Sequence, residues 1–279
     1  MNNPETNRRE FLSPYSDAAR SLFYFRIKGI LSRIFGRLRC DVEGLEHVPQ
    51  SGPAILTMNH TGWEEILCAI LIVPRPMRII GIRELMYLDD PVGRARIFDS
   101  AYGRGFGPVR RGLTILLGNA LGGVIRRWLR EFGFIPARVF TPAWPPLLGS
   151  NGWRETVAAL AAGELVLLFP EGGYKRDGVM RPFKPGLGML VRWLNRRHLD
   201  VPIVPIAQRT AGCVSWTLGH RYTPRLVFGP PLTFTFDGGN RRAFDERVAR
   251  TVQDRIDALL RRAWPDAPPQ TYRLAVRST

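Results

Sequence analysis

The chain has 279 residues, enough for one large α/β domain or two small ones with a full core. Hydrophobic residues make up 45% of it, which excludes a disordered chain, and no run of 18 apolar residues occurs, which predicts no transmembrane helix. Lysine and arginine number 40 against 24 acids, a formal charge of +16, so the chain is drawn to polyanions: nucleic acid, an anionic membrane surface or phosphorylated substrates.

The first ten residues are polar and lack the apolar core of a signal peptide, so cytosolic residence is the default expectation. The first legible element is a helix from Ser21 to Arg39. At 100° per residue, Phe23, Ile27, Ile30, Leu31, Ile34 and Leu38 form one apolar stripe. Arg26, Arg33 and Arg37 border it on one side, Lys28 and Arg39 on the other. That is the pattern of a helix lying in a membrane interface, its cations reaching lipid phosphates. A plain amphipathic helix packed on the protein fits the same stripe. Cys40 to Glu46 reads as a short edge strand and turn, and Val48 to Pro53 as a loop. Cys40, Cys68 and Cys213 are odd in number and widely spaced, which argues against a disulfide framework or zinc site and for a reducing compartment.

Beyond the loop, the pattern predicts a buried strand over Ala54–Met58, a helix over Glu64–Ile72 and a strand over Met77–Ile82. Leu113–Ile125 has helical spacing interrupted by Gly118, Gly122 and Gly123. Strands follow at Phe132–Val139, Leu165–Phe169, Ile203–Ala207, Arg225–Phe228 and Leu232–Phe236. Helices fall at Trp153–Ala162, Gly188–Asn195 and Arg241–Trp264, the last stopped by Pro265. Strands alternating with helices predict an α/β fold, a mostly parallel central sheet flanked by helices and preceded by the N-terminal amphipathic helix. The expected organisation is a membrane-interface helical segment over residues 1–39, an α/β domain over 40–264 and a tail over 265–279.

Two segments carry chemistry. Asn59-His60 ends a predicted strand, where α/β sheets place their sites, and Glu65 follows one helical turn and a little more later. A neutral imidazole there takes a proton from a hydroxyl near pH 7, and a carboxylate at that spacing orients the ring and supports the imidazolium. A structural histidine is the competing reading. Phe169-Pro170-Glu171-Gly172-Gly173 then places a carboxylate on a tight turn at another strand end, expected to be exposed. Arg181 to Gly186 brings Lys184 near a further turn.

These segments, in order, resemble the glycerolipid acyltransferase family typified by 1-acylglycerol-3-phosphate acyltransferases. Val42 to Pro49 is similar to the family's lead-in and Asn59-His60 through Glu65 to its Asn-His-x-x-x-x-Asp block. Gly133-Phe134-Ile135-Pro136-Ala137-Arg138 resembles the second block, with Arg110-Arg111 as a weaker candidate. Phe169-Pro170-Glu171-Gly172 matches the third, Phe183-Lys184-Pro185-Gly186 its follower, and Val204-Pro205-Ile206 the fourth. The resemblance implies acyl transfer from acyl-CoA or acyl carrier protein to a lipid hydroxyl at the cytoplasmic face of the membrane, with no further cofactor and no metal. It makes His60 the base and Glu65 its partner, with Arg138, Glu171, Gly172, Lys175 and Lys184 holding the acceptor. Three departures matter: glutamate stands for aspartate at 65, Gly173-Tyr174 stands where the family has Thr-Arg, and an insertion around residues 88–120 separates the first and third blocks. They leave two alternatives open, a phosphate-free acceptor and an inactive lipid-binding member. Nucleic-acid motifs, a Gly-x-Ser-x-Gly elbow and a P-loop are not legible.

Overall fold

The computed structural model describes residues 17–35, 40–62, 64–82, 91, 107–137, 151–173, 180–210, 214–215, 219–220 and 223–265. Six helices and nine strands lie among them. The helices are α1 (Asp17–Ile34), α2 (Glu64–Ile72), α3 (Pro108–Phe132), α4 (Asn151–Ala161), α5 (Gly186–Asn195) and α6 (Arg241–Ala263). The strands are β1 (Asp41–Glu43), β2 (Ala54–Met58), β3 (Met77–Ile82), β4 (Phe134–Ala137), β5 (Leu165–Leu168), β6 (Ile203–Arg209), β7 (Val214–Ser215), β8 (Gly219–His220) and β9 (Arg225–Phe228). Seven strands form one mostly parallel sheet in the order β1-β9-β6-β2-β5-β3-β4, and β7 and β8 make a small hairpin. The fold class is the α/β one that the alternation predicts. The chain divides into two compact units, Met1–Ile30 with Pro76–Val166, and Leu31–Arg75 with Leu167–Thr279.

In the second unit, β2 pairs in parallel with β6, Met58 opposite Ile206, and β9 turns antiparallel against β6 before β1 pairs with it in parallel. All five residues of β2 are buried, because helices cover a parallel strand on both faces and its sequence is correspondingly apolar throughout. Helices α5 and α6 cross closely: a Cβ on Gly188 would collide with the Asp245 backbone. Arg192 grips Asp245 at that crossing with two bonds of 3.0 and 2.8 Å, both side chains buried. A buried charge without its partner costs several kcal/mol, on the order of 3–5, so this pair fixes which way the two helices meet. Arg75 braces the loop before β2, donating to the carbonyls of Pro49 at 2.6 Å and Gly52 at 2.9 Å.

In the first unit, β3 and β4 pair in parallel, and α3 ends at Gly133, whose φ of 111° only glycine adopts easily. Helix α1 packs here through Tyr24, stacked on Phe132 at 4.9 Å, and Phe23, edge-on to Trp128 at 5.9 Å. Arg20 and Arg78 both pair with Glu164, at 2.7 and 2.6 Å.

Four predicted elements, β2, α2, β3 and β9, have the bounds expected of them. Six others shift by one or two residues at one or both ends, the β7–β8 hairpin is unforeseen, and three features differ more. Helix α1 begins at Asp17, four residues before the expected start, and it buries Arg20, Tyr24 and Ile27 rather than the full predicted stripe, since Ile30 and Ile34 are exposed. Its inward face is set by the aromatic pairs and the Arg20–Glu164 bridge, which no hydrophobic count weighs. Residues 36–39 lie outside the described set. Helix α3 runs well past the expected Leu113–Ile125. The expected strand at Leu232–Phe236 is a single bridge, Leu232 to Ile203. Pro230 and Pro231 offer no N–H before it, and Phe236 gives its N–H to the Asn195 side chain at 2.9 Å.

Candidate active site

Strand β2 carries the chain outward to Asn59 and His60 at its C-terminal end, and α2 begins four residues later. Glu65, in the first turn of α2, is completely buried. Its side chain reaches back along the chain. Oε1 accepts the His60 Nδ1 hydrogen bond and also the backbone N–H groups of Thr61 and Gly62, both at 3.1 Å. Carboxylates are favoured at a helix start, where the dipole and unpaired N–H groups point. The Glu64 carboxylate lies close over Gly62, where a Cβ would meet its Oε2. The ring is held on its other side by Phe169, stacked on His60 at 4.3 Å and 25°. With its proton on Nδ1 and directed at Glu65, the imidazole presents Nε2 as the basic nitrogen. The His60 side chain keeps 15% of its exposure, enough to meet a substrate.

Glu171 sits where the third block ends β5, but the turn aims its carboxylate inward. It is buried, Oε1 accepts the backbone N–H of His60 at 2.6 Å, and Oε2 that of Arg181 at 2.6 Å. The expected exposed carboxylate is therefore a clamp on the His60 backbone. Burial pushes the Glu171 carboxyl up to about 7; the two N–H bonds offset part of that, and the charge of Glu65 adds to it. Gly172 closes the turn with its N–H to the Phe169 carbonyl at 3.0 Å and a φ of 70°. Lys184 lies over it: a Cβ on Gly172 would meet the ammonium Nζ at 2.6 Å. Lys184 is itself tied down, donating its backbone N–H to Pro170 at 2.9 Å.

Thus His60, Glu65, Glu171, Gly172 and Lys184 come together in one unit. Arg138 and Lys175 lie outside the described residues, and Arg110 and Arg111 sit on the exposed start of α3. Sequence reasoning missed Asn59 as a structural partner and Gln208 and Thr210 altogether, and it placed Phe169 in the third block without its stacking on His60. Asn59 and Gln208 are paired reciprocally and buried. Asn59 Oδ1 accepts the Gln208 backbone N–H at 2.9 Å and Asn59 Nδ2 donates to the Gln208 carbonyl at 3.1 Å, while Gln208 Nε2 donates to the Asn59 carbonyl at 2.9 Å and Thr61 Oγ1 at 3.0 Å. Thr210 Oγ1 lies 2.7 Å from Gln208 Oε1 and 3.5 Å from Glu65 Oε2. A signal existed: a strand pairing in parallel with β2 sets its own end beside His60, so polar residues closing the Val204-Pro205-Ile206 strand belong to the site.

Residues 39–96 and 110–209, more than half of the chain, match the family model described as Acyltransferase. The chain belongs to the acyltransferase family. No curated protein matches it in sequence. Among solved structures it is similar to the 1-acyl-sn-glycerophosphate (LPA) acyltransferase PlsC from Thermotoga maritima, at 20% identity and a TM-score of 0.50, over 88% of this chain and 85% of that one. The likeness is one of fold, and it agrees with the α/β architecture above. The matched region contains β2 and the His60 that follows it, α2 with Glu65, the Glu171 turn, Lys184, and β6 with Gln208.

Proposed function

We propose that this acyltransferase moves a fatty acyl group from acyl-CoA or acyl carrier protein to the hydroxyl of a lyso-lipid, with 1-acylglycerol-3-phosphate as the leading acceptor. The observation that carries the reading is the His60 imidazole anchored through Nδ1 to a fully buried Glu65. Nε2 removes the acceptor's hydroxyl proton, and the oxygen attacks the thioester carbonyl. The tetrahedral adduct then collapses, the C–S bond breaks, and the thiolate leaves with the proton from the imidazolium. No covalent enzyme intermediate is needed. Glu65 supports the imidazolium as it forms. Lys184 at the Gly172 turn, with Arg138 and Lys175, supplies cations for the acceptor's phosphate.

The reaction belongs, in this reading, at the cytoplasmic face of an anionic membrane, with the protein peripheral or monotopic. Among the described residues no helix is long and apolar enough to cross a membrane. The support is the outward face of α3. It exposes Leu113, Leu116, Leu117, Leu121, Val124 and Trp128, and no charge falls between Gly112 and Ile125, roughly 20 Å of helix. Arg110 and Arg111 stand at one end of this band, Arg126, Arg127 and Arg130 at the other. Helix α1 adds exposed Leu22, Phe25 and Ile30 around Arg26. Exposed apolar surface of this extent marks a docking face, and flanking arginines suit lipid phosphates.

The test is thiol release from acyl-CoA or acyl carrier protein over a panel of lyso-lipids with and without phosphate. His60→Ala should lose turnover by about 10²–10⁴-fold, and full activity in that variant overturns the mechanism. A phosphate-free acceptor used as well as lysophosphatidic acid overturns the acceptor assignment.

A further inference from the structure

We propose that Gln208 is a positioning residue for the His60–Glu65 pair, fixing the peptide that carries His60 and holding the Thr210 hydroxyl proton away from Glu65. The inference rests on the base assignment above and concerns atoms that the assignment does not use.

Each polar end of Gln208 meets the dyad's surroundings. Its two amide hydrogens go to the Asn59 carbonyl, immediately before His60, and to Thr61 Oγ1, immediately after it. The orientation of the amide follows, since Nε2 faces two oxygens and Oε1 faces a hydroxyl. With both hydrogens committed, Oε1 can only accept, so the 2.7 Å contact with Thr210 takes the Thr210 hydroxyl proton. That hydroxyl has one proton. Its oxygen therefore turns a lone pair, not a hydrogen, toward Glu65 Oε2 at 3.5 Å. All three donors to Glu65 named above converge on Oε1, the oxygen that holds His60.

Two consequences follow. The His60 backbone is fixed from both sides, by Glu171 at its N–H and by Gln208 at the flanking carbonyl and hydroxyl. A hydroxyl donating to Oε2 would draw charge off the carboxylate and weaken its hold on the imidazolium. Gln208 prevents that by occupying the proton.

The two effects separate in the pH dependence. Gln208→Ala removes the braces and releases the Thr210 proton to Glu65. Turnover should fall about ten- to a hundredfold with the KM of both substrates nearly unchanged, because the base is misplaced and binding is not. The imidazolium loses support, so it gives up its proton more readily, and the acid limb of kcat/KM should move to lower pH by up to about one unit. Adding Thr210→Val to Gln208→Ala removes the released proton and should move the limb back, while Thr210→Val alone should leave it in place. Unchanged turnover in Gln208→Ala, or a loss of turnover with an unmoved acid limb, overturns the proposal: the second result is what a purely structural glutamine gives. If Gln208→Ala does not fold, Thr61→Val removes one brace at a partly exposed position. A severalfold loss of turnover with little change in melting temperature is expected there, and unchanged turnover overturns the proposal. His60→Ala run alongside distinguishes the failures. Full activity in it sinks the base assignment, whereas an inactive His60→Ala beside an unaffected Gln208→Ala sinks only the role of Gln208.

Discussion

The polar groups around His60 and Glu65 are paired, some within residues 59–65 and some with Glu171 and Gln208. The Asn59 carbonyl, the N–H groups of His60, Thr61 and Gly62, and the Glu65 carboxylate all find partners at hydrogen-bond distance. Between Gly112 and Ile125 the opposite holds: α3 turns leucine, valine and, just beyond, Trp128 outward. The two regions show the same rule from its two sides. A polar group in a buried place is held because losing its partner is costly, so geometry at the base is rigid. An apolar group left in water has no such cost in one direction only, and its burial is worth about 1.5–3 kcal/mol once a partner covers it. Function at the first region should break with single atoms, and at the second only with surface character.

The sharpest way to break the first region is Glu65→Gln. The amide keeps an oxygen for the three donors on Oε1, and its new N–H₂ faces the lone pair of Thr210. The packing survives and the charge does not. Turnover in thiol release should fall by about 10²–10⁴-fold with the melting temperature close to that of the wild type. Activity within a fewfold of wild type would show that the imidazolium needs no counter-charge.

The second region is tested by Leu117→Glu with Val124→Glu, two turns apart on the outward face of α3. Binding to anionic vesicles should weaken tenfold or more, since two apolar contacts become charged ones. Turnover of a detergent-dispersed acceptor should stay near that of the parent. Adding salt should weaken the parent's vesicle binding, and deleting residues 1–39 should weaken it less than the α3 changes do. Vesicle binding untouched by the α3 pair would place the lipid contact elsewhere.

The contrast also explains what could be read in the sequence. Ala54–Met58 and Glu64–Ile72 were legible because a wholly apolar strand followed by an acid-started helix is a local pattern, and His60 and Glu65 lie within it. Gln208 and Thr210 were not, because their role depends on β6 lying beside β2, a pairing between residues far apart in sequence. The inward carboxylate of Glu171 depends likewise on the N–H of Arg181, ten residues further along the chain. The helix at Leu113–Ile125 was legible despite Gly118, Gly122 and Gly123, whose low helix propensity is overridden where the helix packs: Gly118 and Gly122 are both buried.

Glu171 offers a smaller effect with a definite sign. Its carboxyl is raised from 4.5 to about 7, chiefly by burial, so the folded state favours the protonated form. A raised acid contributes stability that is complete below its ordinary range and is lost as the pH rises through its folded value. Glu171→Gln cannot titrate, and its N–H₂ must face one of the two backbone donors. The variant should melt lower than the wild type, and the gap should narrow between pH 4.5 and about 7. A gap that stays constant across that window would mean Glu171 does not titrate there.

The smallest expected effect separates conformation from chemistry at the Gly172 turn. Gly172 and Gly52 have nearly the same backbone, φ 70° and 74°. Alanine is strained in that region by about 1–2 kcal/mol, so both alanine variants should lose a few degrees of melting temperature, to a similar extent. Their surroundings differ. Nothing lies within 4 Å of a Cβ at Gly52, whereas a Cβ at Gly172 would sit 2.6 Å from Lys184 Nζ. The ammonium is the far end of a flexible side chain, so it moves aside at little further cost in stability. It moves from the place where the proposed reading puts the acceptor's phosphate. Gly172→Ala should therefore raise the KM for lysophosphatidic acid severalfold while leaving the acyl-donor KM alone, and Gly52→Ala should change neither. Equal KM values in the two variants would remove Lys184 from the acceptor site while leaving the His60–Glu65 pair untouched.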